Sequence, residues 1–186
     1  MKKALFIDRD GTLIVETDDQ KIEKFEKLKF YPEVFYWLGK IVREFDYELV
    51  MVTNQDGLGK PDFTEEDFNR VQNFILQTFK DEKIAFAGVH IDRSYPEEGL
   101  PTRKPGTGML LQYMNGHYDL KNSFVIGDRI TDVMLAKNLG CKCLWLNNGS
   151  LLGATEIGET VQSLKPYIAV EATGWQAFYE YLKSVQ

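Results

Sequence analysis

The sequence has little of what would tie a chain to membranes, nucleic acid or a disulfide framework. None of its 186 positions begins a run of 18 apolar residues, and MKKALFID turns charged after a few residues. No spanning helix and no secretory signal are expected. Basic runs are missing as well: 22 Lys and Arg stand against 28 Asp and Glu, a net charge of −6. A phosphate-backbone footprint needs the opposite balance, so nucleic acid is not an expected partner. There are only two cysteines, Cys141 and Cys143 in CKCLWLN. That spacing is poor for a disulfide, and they read as small buried thiols of a reducing, cytoplasmic setting. Repeats, low-complexity stretches and inter-domain linkers are also absent. The length suits a single domain over residues 1–186 that buries roughly 70% of its unfolded surface and needs no staple.

What is present is an alternation of short apolar runs and helical patterns. ALFI (4–7), ELVMV (48–52), GVHI (88–91), FVI (124–126), CLWL (143–146) and YIAV (167–170) have the length and composition of buried strands. Between them, PEVFYWLGKIVREF (32–45) lines up Val34, Trp37, Leu38, Ile41, Val42 and Phe45 on one helical face. TEEDFNRVQNFILQTF (64–79) opens with Thr64 and Asp67, close to a capping box, and then buries Phe68, Val71, Ile75 and Phe79. Three more helices are expected over 108–115, 131–140 and 175–182, with Gly140 closing the middle one. Strand–helix alternation of this kind predicts an α/β fold, a doubly wound parallel sheet with helices on both faces. Residues 14–30 are polar and charged and are expected to form a flap over one edge.

The strands end in polar residues. ALFI runs into Asp8 and Asp10, ELVMV into Thr53 and Asn54, FVI into Gly127 and Asp128. In open parallel sheets, ligands bind beyond the carboxyl ends of the strands. Asp8 and Asp10 lie two apart on an extended segment and share a face, so their charges repel. A metal ion, a shared proton or solvent exposure could each relieve that repulsion.

With DRDGT (8–12), VTN (52–54), TRKPGTG (102–108) and GDRITD (127–132) in that order, the chain resembles the haloacid dehalogenase superfamily of phosphotransferases from about residue 4 to residue 147. The resemblance implies a Rossmann-like sheet and an aspartyl-phosphate mechanism. Asp8 would be the nucleophile, Asp10 the general acid and base, Thr53 a donor to the phosphoryl oxygens and Lys104 a compensating positive charge. Asp8, Asp128 and the backbone carbonyl of Asp10 would hold Mg²⁺, with Asp132 orienting its waters from behind. Gly11 would let the chain turn sharply beside the phosphate. His90 and His117 match no motif and read as structural or surface residues.

FIDRDGTLI, a glutamate shortly after it, FEKLKFYPEV (25–34), VTNQDGLG (52–59), RKP (103–105) and VIGDRITD (125–132) are similar to the histidinol-phosphate phosphatase branch. That branch has essentially no cap domain, and some members are fused to an imidazoleglycerol-phosphate dehydratase. No such second domain is expected in this chain. The implied substrate is a small phosphorylated metabolite, L-histidinol phosphate, which carries an ammonium and an imidazole that is protonated part of the time. Acids should therefore meet it, and Glu16 and Asp56 are the candidates, with Asn54 and Arg103 completing the expected contacts. Asp18 and Asp19 read as solvated surface acids. A heptose 1,7-bisphosphate phosphatase is the alternative, and an inactive module that binds a phosphorylated ligand is a lesser one. Many relatives carry a zinc loop before RKP, but residues 91–105 here hold neither cysteine nor histidine. No zinc is expected, since such a site needs those ligands.

Overall fold

Side chains alternate across a strand, so a strand buried on both faces must be apolar at every position. The computed structural model, which describes residues 1–149 and 153–186, shows this in β1 (Ala4–Ile7). Leu5 and Ile7 enter one core, while Ala4 and Phe6 enter the other. The same split recurs in β2 (Glu48–Asn54), with Leu49 and Met51 against Val50 and Val52. It recurs again in β4 (Phe124–Gly127) and β5 (Lys142–Leu146). With β3 (Phe86–Asp92) and β6 (Ile168–Ala172), these form one sheet in the order β3-β2-β1-β4-β5-β6, every neighbouring pair parallel.

The chain winds outward from β1 through α1 (Val34–Glu44) and α2 (Glu65–Asp81), then returns to lay β4 on the other side of β1. α3 (Ile130–Leu139) and the single turn α4 (Val161–Leu164) lead out to β6, and α5 (Trp175–Ser184) closes the fold. α1, α2 and α5 pack on one face of the sheet, α3 and α4 on the other. The winding reverses at β1 and β4, so the loops after these two strands face each other over a crevice.

The helical faces follow the expected spacing. α1 buries Val34, Trp37, Leu38 and Ile41. α2 buries Phe68, Val71, Ile75 and Phe79, and the Thr64 hydroxyl caps it by accepting from the Asp67 amide at 3.2 Å. Gly140 ends α3 in the left-handed conformation. Both cysteines are free and buried on the α3 face.

Three expectations change. Residues 108–115 form a 3-10 helix over Gly108–Tyr113 instead of an α-helix. The Gly106–Thr107–Gly108 entry is costly to order, and Gly108 N donates to Pro101 O at 2.8 Å, which binds the segment to the preceding loop. β6 starts one residue later than expected, because Tyr167 completes a 3-10 turn through Pro166. The turn of α4 was not expected at all, its sequence being too short and polar to show a period. The flap over residues 14–30 is neither core strand nor core helix, yet Ile14 and Ile22 are fully buried beneath it. Its two ends pair, with Ile14 bridged to Phe30 and Val15 N donating to Lys29 O at 2.7 Å. Among the described residues, no helix is long and apolar enough to cross a membrane.

Candidate active site

Register brings the acids together. Ile7 pairs with Ile126, and Asp8 N extends the ladder by donating to Ile126 O at 2.9 Å, so Asp8 leaves β1 beside the end of β4. Two glycines make room there. A Cβ at Gly11, whose φ is +74°, would sit 2.2 Å from Asp128 Oδ2, and one at Gly127 would sit 2.2 Å from Asp132 Oδ2. The sharp turn after DRD is thus needed for Asp128 to approach as well as for the backbone to bend.

Asp8, Asp128 and Asp132 each offer an oxygen within 4.8 Å of the others, and all three are buried. One ammonium stands among them: Lys104 Nζ lies 2.7 Å from Asp8 Oδ1 and 2.7 Å from Asp132 Oδ1. Asp132 also accepts from Arg129 N at 3.1 Å, so it orders the start of α3 while holding Lys104. Burial alone would lower the Lys104 pKa, but the Asp132 and Asp8 carboxylates outweigh it and hold the ammonium charged. Burial pushes Asp8 up to about 7, with Lys104 opposing and Asp132 and Asp10 adding. It pushes Asp128 up to about 9, aided by the Asp8, Asp132 and Glu16 carboxylates. Asp128 Oδ1 is buried with no hydrogen-bond partner among the described residues. An unpartnered carboxylate oxygen beside two more carboxylates is a set of hard oxygen donors with excess negative charge, which fits a divalent cation such as Mg²⁺.

The cleft above this cluster is lined by Asp8, Asp10, Thr53, Lys104, Glu16 and Arg129, with Asn54, Asp56 and Glu156 among its further walls. Thr53, near the end of β2, lines the cleft, and its hydroxyl accepts from Gln55 Nε2 at 2.8 Å. Asn54 grips the Lys104 peptide from both sides, its Nδ2 donating to Lys104 O at 3.1 Å and its Oδ1 accepting from Lys104 N at 3.0 Å.

The rim acids are paired. Glu16, delivered by the flap, forms an ion pair with Arg129, and burial raises its pKa more than Arg129 lowers it. Asp56 accepts from Arg103 Nη1 at 2.5 Å. Arg103 itself does not line the cleft. It is 6% exposed, and all five of its donors serve Asp56, Glu156 and Ser94 O. It braces the rim acids Asp56 and Glu156. Asp19 is tied to Lys27 at 2.5 Å, outside the cleft. His90 meets Tyr113 Oη at 3.1 Å, and neither His90 nor His117 reaches the cleft.

In the loop 91–105, where cysteine and histidine are lacking, oxygen and nitrogen groups do the tying. Asp92 accepts from Ser94 N at 2.9 Å, Ser94 Oγ at 2.5 Å and Thr102 Oγ1 at 2.5 Å. Sequence reasoning assigned no role to Arg9, Gln55, Arg129 or Glu156. The first three lie inside the quoted motifs, so proximity to DRDGT, VTNQDG and GDRITD was the available signal. Glu156 had none.

Comparison with known proteins agrees with this arrangement. A family profile described as HAD-hydrolase-like matches residues 101–165. The chain is 46% identical over 98% of its length to the histidine biosynthesis bifunctional protein HisB of Spirosoma linguale, covering 49% of that protein. It is 50% identical over 97% of its length to the HisB of Bacteroides fragilis, covering 47%. The chain thus spans about half the length of the curated relatives it matches. The fold is similar to the crystal structure of a D,D-heptose 1,7-bisphosphate phosphatase from B. bronchiseptica complexed with magnesium and phosphate, with a TM-score of 0.80, 20% identity and full coverage of both chains. Order of motifs, strand order, acid cluster and relatives converge: the chain belongs to the haloacid dehalogenase-like hydrolases.

Proposed function

We propose that this chain is a single Mg²⁺-dependent phosphatase domain that hydrolyses L-histidinol phosphate to L-histidinol and phosphate. The observation that carries the reaction class is the buried set of Asp8, Asp128, Asp132 and Lys104 with the unpartnered Asp128 Oδ1. The substrate rests on the HisB relatives. Their name covers two activities, and only one of them enters this proposal. A cytoplasmic setting belongs to it as well.

Asp8, at the bottom of the cleft, attacks phosphorus and becomes an aspartyl-phosphate while the ester oxygen leaves. Asp10 gives that oxygen a proton, then takes one from the water that attacks the aspartyl-phosphate. Thr53 and Lys104 hold the phosphoryl oxygens. Asp8, Asp128 and the Asp10 carbonyl would hold Mg²⁺, with Asp132 behind, and the bound ion supplies positive charge against the transferring phosphoryl group. On the rim, Glu16 and Asp56 meet the cationic end of the substrate, each sharing its charge with an arginine. Asn54 supports Lys104.

The deciding measurement is kcat/KM for L-histidinol phosphate against D-glycero-D-manno-heptose 1,7-bisphosphate in one Mg²⁺ buffer. The first should be the better substrate by a wide margin; preference for the bisphosphate ends the substrate assignment. Truncating Glu16 or Asp56 to Ala should lower kcat/KM for histidinol phosphate by about tenfold or more, as loss of a desolvated charge contact does. The relative loss on an uncharged aryl phosphate should be much smaller.

A further inference from the structure

Asp10 is gripped from two sides. Its Oδ2 accepts from Gln55 Nε2 at 2.5 Å, and its Oδ1 accepts from Arg9 Nη1 at 2.7 Å. The same Gln55 amide donates to Thr53 Oγ1 at 2.8 Å, so one side chain ties Asp10 to the end of β2. Both holders are buried, Gln55 at 3% exposure and Arg9 at 0%. Arg9 is fixed in turn: its Nε donates to Gln72 Oε1 at 2.8 Å, and its guanidinium lies 5.0 Å from the centre of the Phe68 ring. Gln72 and Phe68 are one turn apart on α2. Gln55 Oε1 is buried without a partner among the described residues. Turning the amide over would place that oxygen against the Asp10 carboxylate, so the amide stays with its donor inward at the expense of an unpaired acceptor.

We infer that Gln55 and Arg9 are positioning residues that aim the Asp10 carboxyl at the leaving-group oxygen. This rests on the reading of Asp10 as the acid and base. In the first half-reaction an Asp8 oxygen bonds to phosphorus as the phosphorus–ester oxygen bond breaks. The electron pair stays on the ester oxygen, which takes the Asp10 proton and departs as the alcohol. A carboxyl group has enough lone pairs to keep both grips while it carries that proton. Aim matters most for an alkoxide, which departs poorly without a proton, and least for a nitrophenolate, which departs readily.

The test compares wild type with Gln55→Met, which keeps the shape and loses the donor, on L-histidinol, phenyl and p-nitrophenyl phosphates. kcat/KM covers the steps up to cleavage of the ester bond, so hydrolysis of the common aspartyl-phosphate does not enter. The ratio of kcat/KM for histidinol phosphate to that for p-nitrophenyl phosphate should drop roughly tenfold or more, part of the roughly 100-fold gain a positioned proton donor gives. Phenyl phosphate should fall in between. Gln72→Leu, which frees Arg9, should shift the ratio the same way by less, and it serves if Gln55→Met fails to fold. A parallel fall on all three esters, or no fall, overturns the inference. Asp10→Asn on the same panel separates the two layers. If that variant still cleaves histidinol phosphate at the wild-type rate, the acid–base reading fails and takes the inference with it. If it is inactive while Gln55→Met shows a parallel fall, only the positioning role is lost.

Discussion

Arg103 and Lys104 are neighbours in the chain and both nearly buried, yet they serve networks in different states of completion. Around Arg103, five donors meet two carboxylates and a carbonyl, and next to it Asp92 takes three donors of its own. Around Lys104, one ammonium pairs with two of three clustered carboxylates, and Asp128 Oδ1 has no partner among the described residues. A satisfied polar network stiffens the loop that carries it. An unsatisfied one holds its charges at a cost that only a ligand removes. The contrast separates residues whose loss should damage the fold from those whose loss should damage chemistry.

The largest effect expected is on chemistry alone. Asp8→Asn should leave less than about 1% of wild-type turnover, as removal of a nucleophile does, while its melting temperature holds or rises, because one of three crowded carboxylates is neutralised. Steady-state rates and a thermal melt on the same preparation check both halves. Turnover above that level removes Asp8 from the nucleophile's role.

Metal removal should come next. Chelator should stop turnover, Mg²⁺ should restore it, and Mg²⁺ should raise the melting temperature of wild type more than that of Asp128→Asn. Elemental analysis should find no stoichiometric zinc, since residues 91–105 offer no thiolate or imidazole. One tightly held zinc per chain would contradict that reading of the loop.

In the satisfied network the sign reverses. Asp92→Ala strands Ser94 and Thr102 donors and should cost roughly 1–3 kcal/mol of stability, a drop of several degrees in melting temperature for a chain of this size. Turnover per folded molecule should change far less. A stable Asp92→Ala variant would mean that the loop is held by something other than these bonds.

The smallest effect is a pH slope in the metal-free protein. A carboxyl whose pKa is raised binds its proton more tightly folded than unfolded, so its contribution falls as pH rises from the ordinary 3.8 towards the folded value, about 7 for Asp8 and about 9 for Asp128. The surface acids with lowered pKa, such as Asp62 and Glu159, act with the opposite sign and finish near or below their ordinary range. Lys104 remains charged throughout this window. Between about pH 6 and 9 the crowded pair should therefore dominate, and the metal-free protein should lose stability with rising pH. Asp128→Asn should flatten the slope, and Mg²⁺ should reverse it. A slope unchanged in Asp128→Asn would mean that other groups set it.

The strands were legible because a doubly buried parallel strand leaves no polar position to blur the pattern, as ALFI and FVI show. α2 was legible from its period and from Thr64 as cap. The 3-10 form of Gly108–Tyr113 is not legible, because an apolar run of that length does not separate one turn type from another. At the cleft, Asp8, Asp10, Thr53 and Asp128 stand out because charged or hydroxyl residues follow apolar runs at strand ends, where side chains face a common rim, whereas Lys104 follows no strand and is legible only through its place in the ordered motifs. The partners of Arg103 are not legible in the same way: its motif position says that it is near the site, while only the fold brings Asp56 and Glu156 to it.

The sequence by itself determined the alternating α/β order, the residues at the strand ends and the lack of zinc ligands in the loop, since each is local to a few neighbouring positions. Tertiary structure alone decided which partner each charge meets. Lys104 joins Asp8 to Asp132 across 96 and 28 positions, Gln55 reaches Asp10 across 45, and Glu156 approaches Arg103 across 53. Such pairings depend on strand register and on the reversal of winding at β1 and β4. No local propensity encodes them, because the free energy of burying a charge is set by whatever the fold brings within a few ångströms.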